Sequence, residues 1–277
     1  MKVAFYAPDG AGDKLLVAAV MAGAKRHVDE VVYVPTYRYD GVIAGVDAAA
    51  CYGVRASSRI ILEAYRRAGK RTLFFDKGYW GRGVYTRVAI DAWQPTAYFQ
   101  RGLSDERLRA SNLEVPPREA PRDGIVLYCA TTQTWHDFYD LGPARAWDEM
   151  IVRLLAETHG AEKVVYRPRP AYAVKHPELC GPIDGVSISS GCPLADELPR
   201  CYRVVTIGSN AAIEAAAAGV PVKVLGDNPC RLLNGVREFA LKNRRQFFAD
   251  LAWWQWTLEE YLSGEAWKFL KSVMSAE

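Results

Sequence analysis

Cysteine pairs at metal or redox spacing are missing from this chain. Its six cysteines, Cys51, Cys129, Cys180, Cys192, Cys201 and Cys230, are dispersed without a CxxC. Only four histidines are present, His27, His136, His159 and His176. No metal-ligand spacing forms, so neither structural zinc nor a disulfide framework is expected. None of the histidines belongs to a Ser or Cys motif that would make a hydrolase triad. No apolar run approaches the roughly 20 residues that cross a bilayer. The first residues are a charged side chain and a strand rather than a secretory leader, so a cytoplasmic location is the expectation. A large charge of one sign is missing too: the formal net charge of +3 is too small to demand a polyanionic partner. No segment points to an obligate protein partner.

What is present is enough apolar chain for a sizeable core. With 277 residues, half of them hydrophobic, the length suits two α/β domains. Short apolar runs alternate with helical patterns: Val3 to Tyr6, then Lys14 to Arg26; Glu30 to Val34; Asp47 to Tyr52, then Arg59 to Ala68; Thr72 to Phe75. That is a βαβ rhythm. The stretch VPPREAPRD, Val115 to Asp123, is rich in proline and charge and reads as a domain boundary. The rhythm resumes with Ile125 to Cys129, a helix from Ala144 to His159, strands at Lys163 to Tyr166 and Val186 to Ser189, and the unit Arg203 to Gly226. The expected organisation is a Rossmann-like domain over 1–120, a second over 121–245, and helices over 246–277 packing back across both. The tail aromatics, among them Trp253, Trp254, Trp256, Tyr261 and Trp267, read as core.

RVVTIGSNAAIEAAAAGVPVKVLG, Arg203 to Gly226, is the most informative segment. A buried strand runs through Gly208, Ser209 and Asn210 into an alanine-rich helix bearing Glu214. Ser209 is the expected N-cap, with helix-start amides that receive an anionic phosphate, and Glu214 lies where a carboxylate reaches ribose hydroxyls. Gly219 and Pro221 end the helix. Structural packing of a small-residue helix on a sheet accounts for the pattern equally well. After the strand at Lys163 to Tyr166 comes Arg167-Pro168-Arg169-Pro170. Prolines stiffen this loop, and paired guanidiniums so mounted grip a pyrophosphate.

The first half offers Asp76-Lys77-Gly78-Tyr79-Trp80-Gly81-Arg82-Gly83 at another strand end. Asp76 is the candidate base, Lys77 a neighbour able to lower a carboxylate pKa, and Tyr79, Trp80 and Arg82 are candidate acceptor contacts. The loop after the first strand, with Asp9, Gly10, Gly12 and Asp13, has Leu15 where a dinucleotide fingerprint wants glycine. It reads as cleft lining, with Asp9 or Asp13 as reserve bases, and His136 as a further cleft candidate. Between Arg55 and Arg122 basic residues interleave with aromatics such as Tyr79, Trp80, Tyr85, Trp93 and Tyr98, a composition that suits nucleic acid. A solvated basic helix face is the alternative for Arg66, Arg67 and Lys70.

These segments resemble glycosyltransferases of the GT-B fold, α/β proteins with two facing Rossmann-like domains. Arg203 to Gly226 is similar to the family's donor helix. YRPRP, Tyr166 to Pro170, is similar to the KPHP-type element of capsule polysaccharide transferases, with Arg167 and Arg169 in place of its lysine and histidine. FDKGYWGRG, Phe75 to Gly83, resembles their EDGF-type element, whose aspartate corresponds to Asp76. The resemblance implies sugar transfer from a nucleotide sugar as co-substrate, with no further cofactor and no catalytic metal, to a hydroxyl. In overall style the chain also resembles bacteriophage transferases acting on hydroxymethylated pyrimidines in DNA, which makes modified DNA the expected partner. A cell-envelope glycan, a GT-B epimerase and a catalytically silent DNA-binding module are the alternatives.

Overall fold

The computed structural model describes residues 1–7, 11–81, 83–117, 121, 123–189, 191–235 and 239–275; the side chains of 11–13 are outside this description. In chain order the strands are β1 Lys2–Ala7, β2 Glu30–Pro35, β3 Ala48–Tyr52, β4 Arg71–Lys77, β5 Tyr85–Ile90, β6 Ile125–Cys129, β7 Val164–Arg167, β8 Ser187–Ile188, β9 Cys201–Thr206, β10 Val222–Val224 and β11 Gln255–Thr257. The helices are α1 Ala11–Ala24, α2 Ala56–Arg67, α3 Glu106–Ala110, α4 Gln133–Tyr139, α5 Ala144–His159, α6 Pro170–Ala173, α7 Leu194–Glu197, α8 Ala211–Ala217, α9 Leu241–Ala252, α10 Leu258–Ser263 and α11 Glu265–Met274.

The chain divides into two compact units, Met1–Arg107 with Asp250–Glu277, and Leu108–Ala249. The division thus falls before the proline-rich stretch, whose Val115 and Pro116 carbonyls accept from Arg245 and Arg244 inside the second unit. It also places the last helices with the first unit.

In the first unit six strands run in the order β11-β5-β4-β3-β1-β2. β2, β1, β3 and β4 are parallel neighbours. β1 is buried after its first residue and β3 up to its last, as expected of strands covered on both faces. β5 returns antiparallel to β4, and β11 adds antiparallel to β5. Sequence periodicity passes over both. Arg87 interrupts the apolar run of β5, and β11 is a three-residue strand inside a tail that reads as helix. Trp254, Trp256, Tyr261 and Trp267 join Phe5, Phe75 and Val88 in one core, so the tail aromatics are core, in this unit.

The second unit holds a parallel five-stranded sheet ordered β10-β9-β6-β7-β8. The chain moves outward from β6 to β7 and β8, then crosses to β9 and β10 on the other side. The topological switch therefore lies between β6 and β9. Val126, Tyr128, Ile151, Val164, Tyr166 and Val205 build its core.

Candidate functional site

In an open α/β sheet the crevice beyond the carboxyl ends of the strands, at the switch point, is where ligands are held. In the second unit the register aligns Cys129 with Arg167, Tyr128 with Val205 and Thr206 with Val224. Four loops therefore leave one sheet edge: Ala130–Thr132, Pro168–Arg169, Ile207–Asn210 and Leu225–Asn228. Since β7 and β9 both flank β6, their loops start about 10 Å apart, two strand spacings.

The Gly208 turn is tightly made. Ser209 N donates to Thr206 Oγ1 at 3.0 Å, Ser209 Oγ accepts from Ala211 N at 3.2 Å, and Asn228 Nδ2 donates to the Ser209 carbonyl at 3.2 Å. Asn210, at φ −63° and ψ −9°, precedes α8, but its backbone is already helical and its side chain makes no cap bond. The Ser209 hydroxyl takes the first-turn amide, which is the capping bond expected of it. Glu214 is exposed on α8. Burial chiefly raises the Cys129 pKa, with Arg167 opposing and Glu214 among the charges that reinforce it.

Trp135 is the residue that motif reading missed. A Cβ on Gly208 would lie 2.2 Å from its Cζ2, so the absence of a side chain serves contact with the indole. The indole also lies 4.3 Å, centroid to centroid, from Tyr139, whose hydroxyl donates to Asp227 at 2.9 Å. A tryptophan two residues into a short helix carries no spacing signal that would have found it. His136 beside it is fully buried, and neither ring nitrogen has a hydrogen-bond partner; burial lowers its pKa. It does not present a face to a ligand.

The two guanidiniums expected to act together differ in burial. Arg167 is 7% exposed and donates to Glu197 Oε2 at 2.6 Å, to Ser189 Oγ at 2.8 Å and to the Cys192 carbonyl at 2.6 Å. Glu197, nearly inaccessible, neutralises it. Arg169, two residues on, is exposed.

In the first unit Asp76, the penultimate residue of β4, lies directly across from Arg87 on β5. Its Oδ2 accepts from Arg87 Nη2 at 2.9 Å, a cross-strand charge pair. Lys77 follows, exposed. The glycines after it serve the hairpin and not substrate approach: a Cβ on Gly78 would be 2.8 Å from Tyr85 Cβ, and Gly81 has φ +56°. Tyr79 and Trp80 are buried. The Tyr79 hydroxyl bonds Gln94 at 2.8 Å and its amide bonds Gln255 at 2.8 Å, so neither ring is a stacking platform. Arg82 is outside the described residues, as are Asp9 and Gly10, and Gly12 and Asp13 are described only as backbone of α1.

The basic, aromatic stretch also turns inward. Arg71 pairs with Asp91 at 2.7 Å, Arg107 with Glu260 at 2.6 Å and Arg59 with Glu63 at 2.8 Å. Arg66 lies 4.2 Å from the Trp93 ring centroid and Arg107 3.6 Å from that of Trp256. Among the described residues no cluster of three or more metal-ligating side chains forms, and no helix is long and apolar enough to cross a membrane.

No known family profile matches the chain, and no curated protein matches it in sequence. Solved structures do match. A KpsC beta Kdo 2,4 transferase of Thermosulfurimonas dismutans aligns with TM-score 0.51 at 15% identity, covering 88% of this chain and 89% of that one. A KpsC beta Kdo 2,7 transferase of the same organism aligns with TM-score 0.50 at 11% identity, covering 95% and 98%. The fold is GT-B. Such likeness establishes architecture. By the general rule for open α/β sheets, the switch point of the second unit, at whose edge Trp135, Gly208 and Glu214 are placed, is the candidate site.

Proposed function

We propose that this chain is a glycosyltransferase that moves a sugar from a nucleotide-sugar donor to a hydroxyl acceptor. The observation that carries this reading is the switch point of the second unit, where the turn at Gly208 to Asn210, the exposed Arg169 and the exposed Glu214 share one sheet edge. In this reading Arg169 and the turn amides meet the leaving diphosphate, a stabilisation worth several kcal/mol, on the order of what one fixed donor supplies to an oxyanion. Glu214 meets the ribose, and the half-buried face of Trp135 meets the base or sugar. Arg167 acts indirectly, by holding the β7 loop through Glu197 and Ser189. Asp76 remains the base, paired with Arg87.

The acceptor proposal stops at a hydroxyl group. The Arg55 to Arg122 stretch suggests a hydroxymethylated pyrimidine in bacteriophage DNA, but Arg59, Arg71, Arg87 and Arg107 within it are paired with carboxylates of the same unit, which weakens the support for a DNA groove. A cell-envelope glycan and modified DNA are the two polymers to compare.

A thermal-shift screen of nucleotide sugars tests the donor, since a ligand bound only by the folded state raises Tm. One nucleotide class is expected to shift wild type, and Arg169→Ala to remove the shift. No shift with any donor, or an equal shift in Arg169→Ala, would overturn the assignment. Incubation of the active donor with glycan or hydroxymethylated DNA then reports the acceptor, and nucleotide release without a transferred sugar would mark an epimerase.

A further inference from the structure

We infer that the second unit carries a separate binding site for a small amphipathic anion, an aromatic or aliphatic body bearing one acid group, in the cavity where β9 and β10 begin. The cavity measures about 760 Å³, a volume typical of small-molecule sites. It lies against Tyr202 and Arg203 of β9 and Pro221 and Val222 before and within β10. These are the amino ends of the strands, the sheet edge opposite Gly208, so the site is not the donor site.

Its wall combines apolar surface with two guanidiniums. Val222, Leu233 and Phe239 supply the apolar part, and Arg203 and Arg244 supply the charge; no carboxylate lines it among the described residues. Arg244 is 2% exposed. It donates to the carbonyls of Ala216, Ala217 and Pro116 at 2.9, 3.3 and 2.7 Å, while its Nε has no partner. The carbonyls closing α8 offer partial negative charge only. Burial, with Arg245 nearby, pushes the Arg244 pKa down; the Phe239 ring centroid lies 5.3 Å from the guanidinium, and no carboxylate among the described residues is paired with it. A buried charge is normally met by an ionised partner. The open volume beside this one is where such a partner fits. Arg203, half-exposed and 5.3 Å from the Tyr202 ring centroid, places a second guanidinium at the same wall, and paired donors of this kind favour a carboxylate or phosphate.

Calorimetric titration with naphthalene-2-carboxylate and its neutral counterpart naphthalene-2-carboxamide tests the inference on the intact chain. The acid is expected to bind at least about tenfold more tightly than the amide, a difference set by one charge-assisted contact. Arg203→Gln is expected to reduce the acid's affinity by about the same factor and leave the amide unchanged. Arg203 is accessible and ties down no helix end, so this variant folds where an Arg244 substitution would free the last turn of α8. Leu233→Trp, which fills the cavity, is expected to abolish binding of both probes. Equal binding of acid and amide would reduce the site to an apolar void. Failure of both probes to bind wild type, or full acid affinity in Arg203→Gln, would overturn the inference.

Discussion

Glu197 Oε2 accepts from Arg167 Nη1 at 2.6 Å, with the two side chains 1% and 8% exposed. Removing one partner of such a pair leaves an uncompensated buried charge, which costs about 3–5 kcal/mol. Glu197→Gln is therefore expected to lower stability by about that amount in urea denaturation. The double variant Glu197→Leu with Arg167→Met is expected to recover most of it, because neither charge then remains. If Glu197→Gln were as stable as wild type, Arg167 would be finding its counter-charge elsewhere, and the indirect role given to it would fail.

Asp148 predicts a pH dependence with a definite sign. It lies on α5, buried, and accepts from Tyr128 at 2.7 Å and Tyr166 at 3.0 Å. Burial raises its pKa from 3.8 to about 6, against the lowering effect of the two tyrosine bonds and Arg145, and with Glu149 adding to the rise. The folded state holds the proton more tightly than the unfolded chain. Its contribution is complete below about pH 4 and is lost as pH rises through about 6, a change of about 3 kcal/mol at 1.36 kcal/mol per unit. Asp148→Asn removes the titration. The stability of this variant relative to wild type is expected to rise by up to about 3 kcal/mol between pH 4 and pH 7. A difference that stays constant across that range would refute the assignment.

The contact between Gly208 and Trp135 leads to a coupled pair of variants. Gly208→Ala places a methyl 2.2 Å from Cζ2 of the indole, so the ring must move. Overpacking of this kind costs about 1–3 kcal/mol. Trp135→Ala makes room, and in the double variant the cost of the alanine at 208 is expected largely to vanish, a coupling readable in a thermal-denaturation cycle. Additive effects would mean that the two residues do not touch.

Much of the fold is legible in the sequence because strands such as β1, β3 and β6 are nearly continuous apolar runs. The helix at Ala144 to His159 and the strand at Ile125 to Cys129 occur at those bounds. The site is less legible, because motif reading treats polar residues at strand ends as turned toward ligand. Arg167 instead faces Glu197, thirty positions on, and Tyr79 bonds Gln255 from the tail. Both partners are distant in sequence and carry no motif. Trp135 was equally invisible, since its importance rests on what glycine 208 leaves open. β5 was lost for a related reason: buried Arg87, matched by Asp76, looks in the sequence like a solvated interruption.

Asp76 and Arg169 give the catalytic prediction its contrast. If Asp76 takes the acceptor proton, Asp76→Asn should lower kcat by about 10²- to 10⁴-fold with little change in donor KM, the usual size of a general-base contribution. The same substitution removes the counter-charge of Arg87, so Asp76→Asn with Arg87→Gln is made alongside it. A base role keeps that double variant inactive even where its stability returns, whereas a purely structural role lets activity recover with the fold. Arg169→Ala should act in the opposite manner, raising donor KM by about tenfold or more with Tm unaltered in the absence of donor, since an exposed guanidinium contributes little to folding. Steady-state kinetics of the three variants with one donor separates these outcomes. Recovery of turnover in the double variant would end the case for Asp76 as base, and unaltered donor KM in Arg169→Ala would end the case for a diphosphate at the β7 loop.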